Sequence, residues 1–289
     1  MDALKFGDRV NHIVFSSRTN ILRHNEVAQL TWSAYESAVN AMPADGSKVQ
    51  VQYPIGWKDD KPQLHTAQYT QQYLRDRYRT LATLQLPTDL LTQMVTTIET
   101  MLLDVVRTVV IEFPRKLNKD KKIELSFVLS AKSIEEVHAR AADALINDLS
   151  YLSPKDFAKS FAELTGVDLT DCAAFQRYQE IKATRDVYMH NGGFANQMYL
   201  KKSGSHARAK DLEKVPIDLV YFFRSSEECL SLTEWLEEQL HEIWRSEQFI
   251  ARLAQPLEEG ENPPVQSTVP HDETSEELSR LAAQVHQKD

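Results

Sequence analysis

The sequence predicts an all-α protein. Apolar residues recur at helical spacing through most of the 289-residue chain, which contains only 8 Gly and 11 Pro. Apolar residues make up 42% of the chain and charged residues 26%, a composition typical of a folded, helix-rich protein rather than of a disordered or fibrous one. We therefore expect one main helical domain with an extension at each end.

Residues 1–64 are predicted to form a helical N-terminal extension of unknown function. Apolar positions from Asn25 to Met42 follow helical spacing, and Asn25 is a plausible cap for this helix. From Ser47 to Gln63 the pattern alternates briefly and includes two prolines. A short strand or an extended connection is therefore expected there.

Residues 65–255 are the predicted helical domain. A polar, aromatic helix is expected from Thr66 to Leu86, ended by Pro87, and Thr88 is the predicted cap of the next helix. That next helix is apolar on most sides between Leu90 and Val110. It must therefore be buried.

Capping residues indicate where the later helices begin and end. Ser133 and Ser153 are predicted N-caps, the second followed directly by a proline, and Gly166 is a predicted C-cap. The helix from Thr170 to His190 ends in the sequence HNGG, whose glycines can adopt the left-handed conformation of a C-cap. A long apolar helical stretch follows Pro216 and completes the predicted core.

Charge is distributed unevenly along the chain. The net charge is −9, which argues against a protein that coats nucleic acid with its whole surface. Between Arg177 and Lys214, however, eight Lys or Arg stand against four Asp or Glu, so a nucleic-acid site is expected in this part of the chain. Residues 256–289 are acidic and proline-rich, and we expect them to form a flexible tail.

Several classes of protein are disfavoured by missing signals. The sequence has no apolar run near the roughly 18 residues of a membrane span and no apolar signal at its start, so a cytoplasmic protein without membrane contact is expected. Cys172 and Cys229 lack metal-ligand spacing and are expected to be buried. No phosphate loop, HExxH, CxxC or GxSxG motif is found, so we expect neither a metal nor a cofactor.

One motif points to a particular chemistry. Arg185, Asp186 and His190 lie in the segment EIKATRDVYMHNGGFANQMYLKK. This segment resembles the signature of HEPN domains, in which an arginine, a polar residue and a histidine at this spacing form a metal-independent ribonuclease site. The resemblance extends over roughly residues 88–252 through the EFPRKL, LSFVLSAKSIEEV and ELTGVDL segments. It implies an antiparallel helical bundle of the HEPN type and a homodimer with a composite site.

The residue types suit RNA cleavage without a metal. Such cleavage needs a proton acceptor, a proton donor and fixed positive charge at the phosphorus. The helix dipole favours a protonated His190 in the last turn, and Arg185 can bind phosphate through two parallel hydrogen bonds. Five positions at about 100° each place the two residues about 140° apart around the helix, so a second subunit is expected to complete the site.

The neighbouring polar side chains are candidates for RNA binding: Lys182, Asn191, Lys201, Lys202, Arg208 and Lys210. The alternative for Lys201, Lys202, Arg208 and Lys210 is a solvated loop, and for Asn191 a turn residue. The alternative for Arg185 is a solvated ion pair with Asp186 or Glu180. We expect an endoribonuclease that leaves 2′,3′-cyclic phosphate and 5′-hydroxyl ends and acts as a toxin or antiviral-defence effector, with an antitoxin or sensor protein as a further candidate partner. The alternatives are a noncatalytic HEPN-like module that binds nucleotide or protein, and a helical scaffold.

Overall fold

Helices make up most of the structure, and one two-stranded sheet interrupts them near the N-terminus. The computed structural model describes residues 3–42, 46–117 and 124–253. Helix α1 spans Ala3–Asn40 and is followed by strands β1 (Lys48–Lys58) and β2 (Lys61–Thr70). The remaining helices are α2 (Gln71–Thr80), α3 (Leu86–Glu112), α4 (Leu125–Ser130), α5 (Ile134–Ser150), α6 (Pro154–Thr165), α7 (Ala173–His190), α8 (Gln197–Ser203) and α9 (Leu219–Leu253). The mainly helical class is confirmed.

The hairpin is the principal correction to the all-α prediction. Strands β1 and β2 pair antiparallel, from Lys48 opposite Thr70 to Lys58 opposite Lys61. Asp59 and Asp60 form the two-residue turn with positive φ of 52° and 57°, which aspartate tolerates better than most residues. The expected strand is therefore confirmed. The expected helical start at Thr66 is wrong, because β2 continues to Thr70, whose side chain caps α2.

The sequence predicted that Pro87 ends a helix, and this prediction is wrong. A π-helical turn over Leu81–Gln85 joins α2 to α3, and Pro87 lies in the first turn of α3. A proline is tolerated there because the preceding turn is π-helical: the Leu86 N–H donates to the Leu81 carbonyl, so the regular α-helical hydrogen-bond pattern is already interrupted before Pro87. Thr88 donates its hydroxyl to the Leu84 carbonyl at 2.6 Å and does not cap the helix.

Helix α3 lies at the centre of the main apolar core. Its buried residues include Leu91, Ile98 and Val105, and it packs against α1, α5, α6 and α7. Helix α1, which lies in the predicted N-terminal extension, contributes Phe6, Val10, Val14, Ile21 and Ala28 to the same core. The N-terminal helix therefore helps to form the body that supports the functional residues.

The chain divides into two compact units, Met1–Phe249 and Ile250–Asp289. Of the second unit only the backbone of the last turn of α9 is described. The predicted acidic tail, residues 256–289, lies outside the described residues. Within the described ranges, no helix has the length and apolar character needed to cross a membrane.

Several predicted caps are confirmed. Ser133 accepts a hydrogen bond from the Glu136 N–H, and Ser153 accepts one from the Asp156 N–H. Gly166 ends α6 in the left-handed conformation, with φ of 87°. Cys172 and Cys229 are buried free thiols, as expected.

Candidate functional site

Helix α7 carries the three residues of the motif, and a glycine pair ends it. Gly193 has φ of 84°, and a Cβ atom placed there would lie 3.0 Å from the ring of Tyr188. The Tyr188 hydroxyl in turn donates to the Val215 carbonyl at 2.7 Å. Only glycine fits both this conformation and this space. The close packing fixes the end of α7 at His190, as the HNGG sequence predicted.

Arg185 is held by two carboxylates. One terminal nitrogen, Nη2, donates to Glu99 Oε2 on α3 at 2.7 Å, and Nε lies 3.2 Å from Asp186 Oδ1. Nε is buried and is not aligned to form a hydrogen bond with that oxygen. Only 17% of the side chain is exposed. The guanidinium is therefore oriented by its partners before any ligand is present.

These contacts belong to a longer row of charges. Lys182 also binds Glu99, and Lys202 on α8 donates to Asp186 Oδ2 at 2.9 Å. Lys182, Glu99, Arg185, Asp186 and Lys202 thus alternate in sign and connect α3, α7 and α8. We refer to these five residues as the charged row. It contains three cations and two carboxylates, so it carries one unbalanced positive charge and attracts anions.

His190 differs from Arg185 in its environment. It is exposed in the last turn of α7. Among the described residues, no hydrogen bond or ion pair joins its ring to Arg185 or to any other side chain. The two residues lie five positions apart on α7, about 140° around an ideal helix, and one chain does not bring their side chains into contact.

Arg208 lies in a second, more buried cluster. Its Nε donates to Glu180 Oε1 at 3.0 Å, and its guanidinium carbon stands 3.4 Å from the centre of the Tyr221 ring. Glu180 also accepts from Thr184 at 2.6 Å, from Tyr199 at 3.1 Å and from Tyr221 at 2.8 Å. We refer to these five residues as the Glu180 cluster. Since the Arg208 donors are engaged in the fold, these contacts favour a structural role, and its assignment to RNA stays a prediction.

Burial keeps the tyrosines of this cluster in their neutral, donating form. Desolvation, and then the negative charge of Glu180, raise the pKa of Tyr221 far above its usual value. The pKa of Tyr199 is raised as well, mainly by burial. Both hydroxyls therefore remain hydrogen-bond donors to Glu180.

The other predicted RNA-binding residues lie on the surface. Lys201 and Lys210 are exposed, and within the described ranges their ammonium groups form no ion pair. The Asn191 side chain donates to the Phe194 carbonyl at 2.6 Å, which fits the turn role considered for it. The structure therefore places Lys182 and Lys202 in the charged row beside Arg185 and Asp186, and leaves the other two lysines open to solvent.

Of the two carboxylates that organise these sites, Glu99 was not predicted from the sequence, and Glu180, considered there as a partner of Arg185, pairs with Arg208. Glu99 lies in the largely apolar helix α3, next to buried Ile98, and Glu180 is 95% buried one turn before Thr184. A carboxylate within an apolar stretch, as at Glu99, is a signal that a cation must meet it. That signal does not identify the cation.

The chemistry available at α7 is that of acid, base and anion binding. Within the described ranges no three His, Cys, Asp or Glu side chains come together in a way that would hold a metal ion. Comparisons with protein-family models, with curated proteins and with solved structures gave no match.

Proposed function

We propose that this protein is a metal-independent endoribonuclease of the HEPN type. The observation that carries the proposal is an exposed histidine, His190, at the end of the helix that also carries Arg185 within a charged row of net positive charge. An accessible imidazole can exchange protons, and a guanidinium can neutralise charge that develops on a phosphate. The motif resemblance supplies the class of the enzyme.

The reaction uses two copies of the motif. The His190 imidazole of one protomer accepts the proton of a ribose 2′-hydroxyl, whose oxygen then attacks the adjacent phosphorus. The partner subunit's His190 donates a proton to the departing 5′-oxygen, while Arg185 stabilises the negative charge of the intermediate. The bond from phosphorus to the 5′-oxygen breaks, which leaves a 2′,3′-cyclic phosphate and a 5′-hydroxyl.

The charged row also supports restraint of this activity. Glu99 and Asp186 occupy the Arg185 guanidinium, so an RNA phosphate must compete with two carboxylates for it. Such an enzyme is slow until its arginine is released. This behaviour suits a toxin or antiviral-defence effector controlled by an antitoxin or sensor protein.

Substrate RNA would approach along the surface lysines. Lys201 and Lys210 are exposed cations, and Lys182 and Lys202 extend this positive charge towards Arg185. Contacts of this kind bind the phosphate backbone without reading sequence. The proposal therefore assigns these lysines to binding and Arg185 and His190 to the reaction.

The test is cleavage of end-labelled single-stranded RNA by the purified full chain in EDTA. We expect cleavage with 2′,3′-cyclic phosphate ends, and a loss of about 100-fold or more in Arg185→Ala and in His190→Ala. The matched controls are Arg177→Ala, an arginine of the same helix that pairs with Glu228, and His65→Ala, an exposed histidine on the hairpin. The proposal fails if the controls lose as much activity as the motif variants, or if the wild type does not cleave RNA.

The ion pairs of Arg185 also favour a second candidate, a noncatalytic module that binds nucleotide or a protein partner. A guanidinium with two carboxylate partners can serve as structure alone. The same assay separates the two functions, because this candidate predicts RNA or nucleotide binding with no cleavage. Light scattering adds a further test, since a strict monomer excludes the composite site.

A further inference from the structure

A cleft beside the charged row has the form of a small-molecule site. It lies between α3, the turn that joins α5 to α6, and α7, and its volume is about 300 Å³. This volume stands at the lower end of the roughly 300–1,000 Å³ typical of ligand pockets. Leu103, Phe157 and Tyr178 belong to its apolar lining, which we call the floor. Glu99 and Lys182, which contact each other, and Gln179, one turn before Lys182 on α7, form its polar side. An apolar floor with a few polar groups at one side suits an amphipathic ligand.

The charges at the polar side decide the sign of the ligand. Glu99 already accepts from both Lys182 and Arg185, so a cationic ligand would find this carboxylate occupied and two cations close by. Lys182 has three donor hydrogens, and the described residues give it one ion-pair partner. The Gln179 amide lines the same side and has no hydrogen-bond partner within the described ranges. The donors that remain are therefore suited to an anion.

We propose that this cleft binds a small amphipathic anion, with its apolar body on the floor and its anionic head on Lys182 and Gln179. A medium-chain carboxylate is the simplest member of this class, and an apolar phosphate monoester has the same chemistry. The unbalanced positive charge of the charged row favours the same sign. The inference concerns binding alone and does not depend on the proposed nuclease activity.

The experiment compares three probes of one chain length by titration calorimetry with the full chain: decanoate, decylamine and decanol. We expect saturable binding of one decanoate per chain, tighter than that of decylamine by about tenfold or more, with decanol in between. An apolar phosphate monoester, decyl phosphate, serves as a second anionic probe that tells carboxylate from phosphate heads. Equal or tighter binding of decylamine, or no saturable binding of either anion, would overturn the proposal.

Two variants locate the binding site. Lys182→Met keeps the length of the side chain and should weaken decanoate binding by about tenfold while it leaves decanol binding unchanged. Thr100→Trp, at an exposed lining position, should block all probes by filling the cleft. Lys201→Met is the matched control, because it removes an exposed lysine outside the cleft. If Lys201→Met weakens decanoate binding as much as Lys182→Met does, the attraction is general and the site is refuted.

Discussion

Arg185 and Arg208 were both selected from the sequence, and the structure gives them different surroundings. Their side chains are similarly protected, at 17% and 25% exposure, but their carboxylate partners are not. Glu99 is 28% exposed and keeps Lys182 if Arg185 is removed, and Asp186 keeps Lys202. Glu180 is 6% exposed, and the described residues give it no other cation than Arg208. The structural importance of each arginine therefore depends on whether its carboxylate partner has another cation nearby when the arginine is removed.

The largest expected effect comes from removing each arginine in turn. Arg208→Ala should lower the free energy of unfolding by about 3–5 kcal/mol, because Glu180 would remain buried without a cation. Arg185→Ala should cost about 1 kcal/mol or less, since both of its acids retain a lysine. Urea denaturation at neutral pH measures the difference.

The double variant Glu180→Gln with Arg208→Ala sharpens this test. Since it removes the unpaired charge, it should be more stable than Arg208→Ala alone. Equal losses of unfolding free energy in Arg185→Ala and Arg208→Ala would contradict the difference between the two arginines. The same result would weaken the structural role given to the Glu180 cluster.

High pH should destabilise the Glu180 cluster. The folded state raises the pKa of Tyr221, whereas the unfolded chain ionises this residue near pH 10. The contribution of Tyr221 to stability is therefore complete below about pH 10 and declines above it, by about 1.4 kcal/mol per pH unit. Tyr221→Phe should make the decline less steep in urea denaturation at pH 9 to 11. Tyr151→Phe, at a side chain 83% exposed, is the control that should change nothing.

The smallest expected effect concerns the restraint on Arg185. Glu99→Gln removes one carboxylate of the charged row and leaves Lys182 and Arg185 as neighbouring cations. If the nuclease proposal holds, RNA cleavage should rise by up to about fivefold, the equivalent of about 1 kcal/mol, with little change in stability. Glu112→Gln is the matched control, because Glu112 lies on the same helix and pairs with distant Arg9. A lower rate in Glu99→Gln would mean that Glu99 positions Arg185 and does not restrain it.

Local signals in the sequence predicted the helices well and the sheet less well. Caps such as Ser133, Ser153 and Gly166 act through contacts a few residues away, so they can be recognised without the fold. The register of β2 depends on its pairing with β1, and its polar residues at 65–70 resemble a helix start when read alone. The turn at Leu81–Gln85 was missed because Pro87 is as compatible with the first turn of a helix as with a helix end.

The candidate site also has one part that local sequence signals predict and one part that they do not. The end of α7 at His190 follows from two adjacent glycines, a local signal. The partners of Arg185 and Arg208 are distant or ambiguous in sequence: Glu99 lies 86 positions before Arg185, and Glu180 lies 28 positions before Arg208. Periodicity shows which side chains share a helix face, but not which face of another helix they meet. For that reason the sequence could not show which carboxylate each arginine would meet.

The hairpin has a consequence of its own for the motions of the protein. Its outer half is exposed on both strands, with Trp57 at 75% and Leu64 at 54% exposure, and none of its residues belongs to the main apolar core. An isolated two-stranded ribbon is marginally stable in water. Amide hydrogens near the tip of this ribbon should therefore exchange with solvent through local opening, long before those of α3, whose release requires the whole core to come apart.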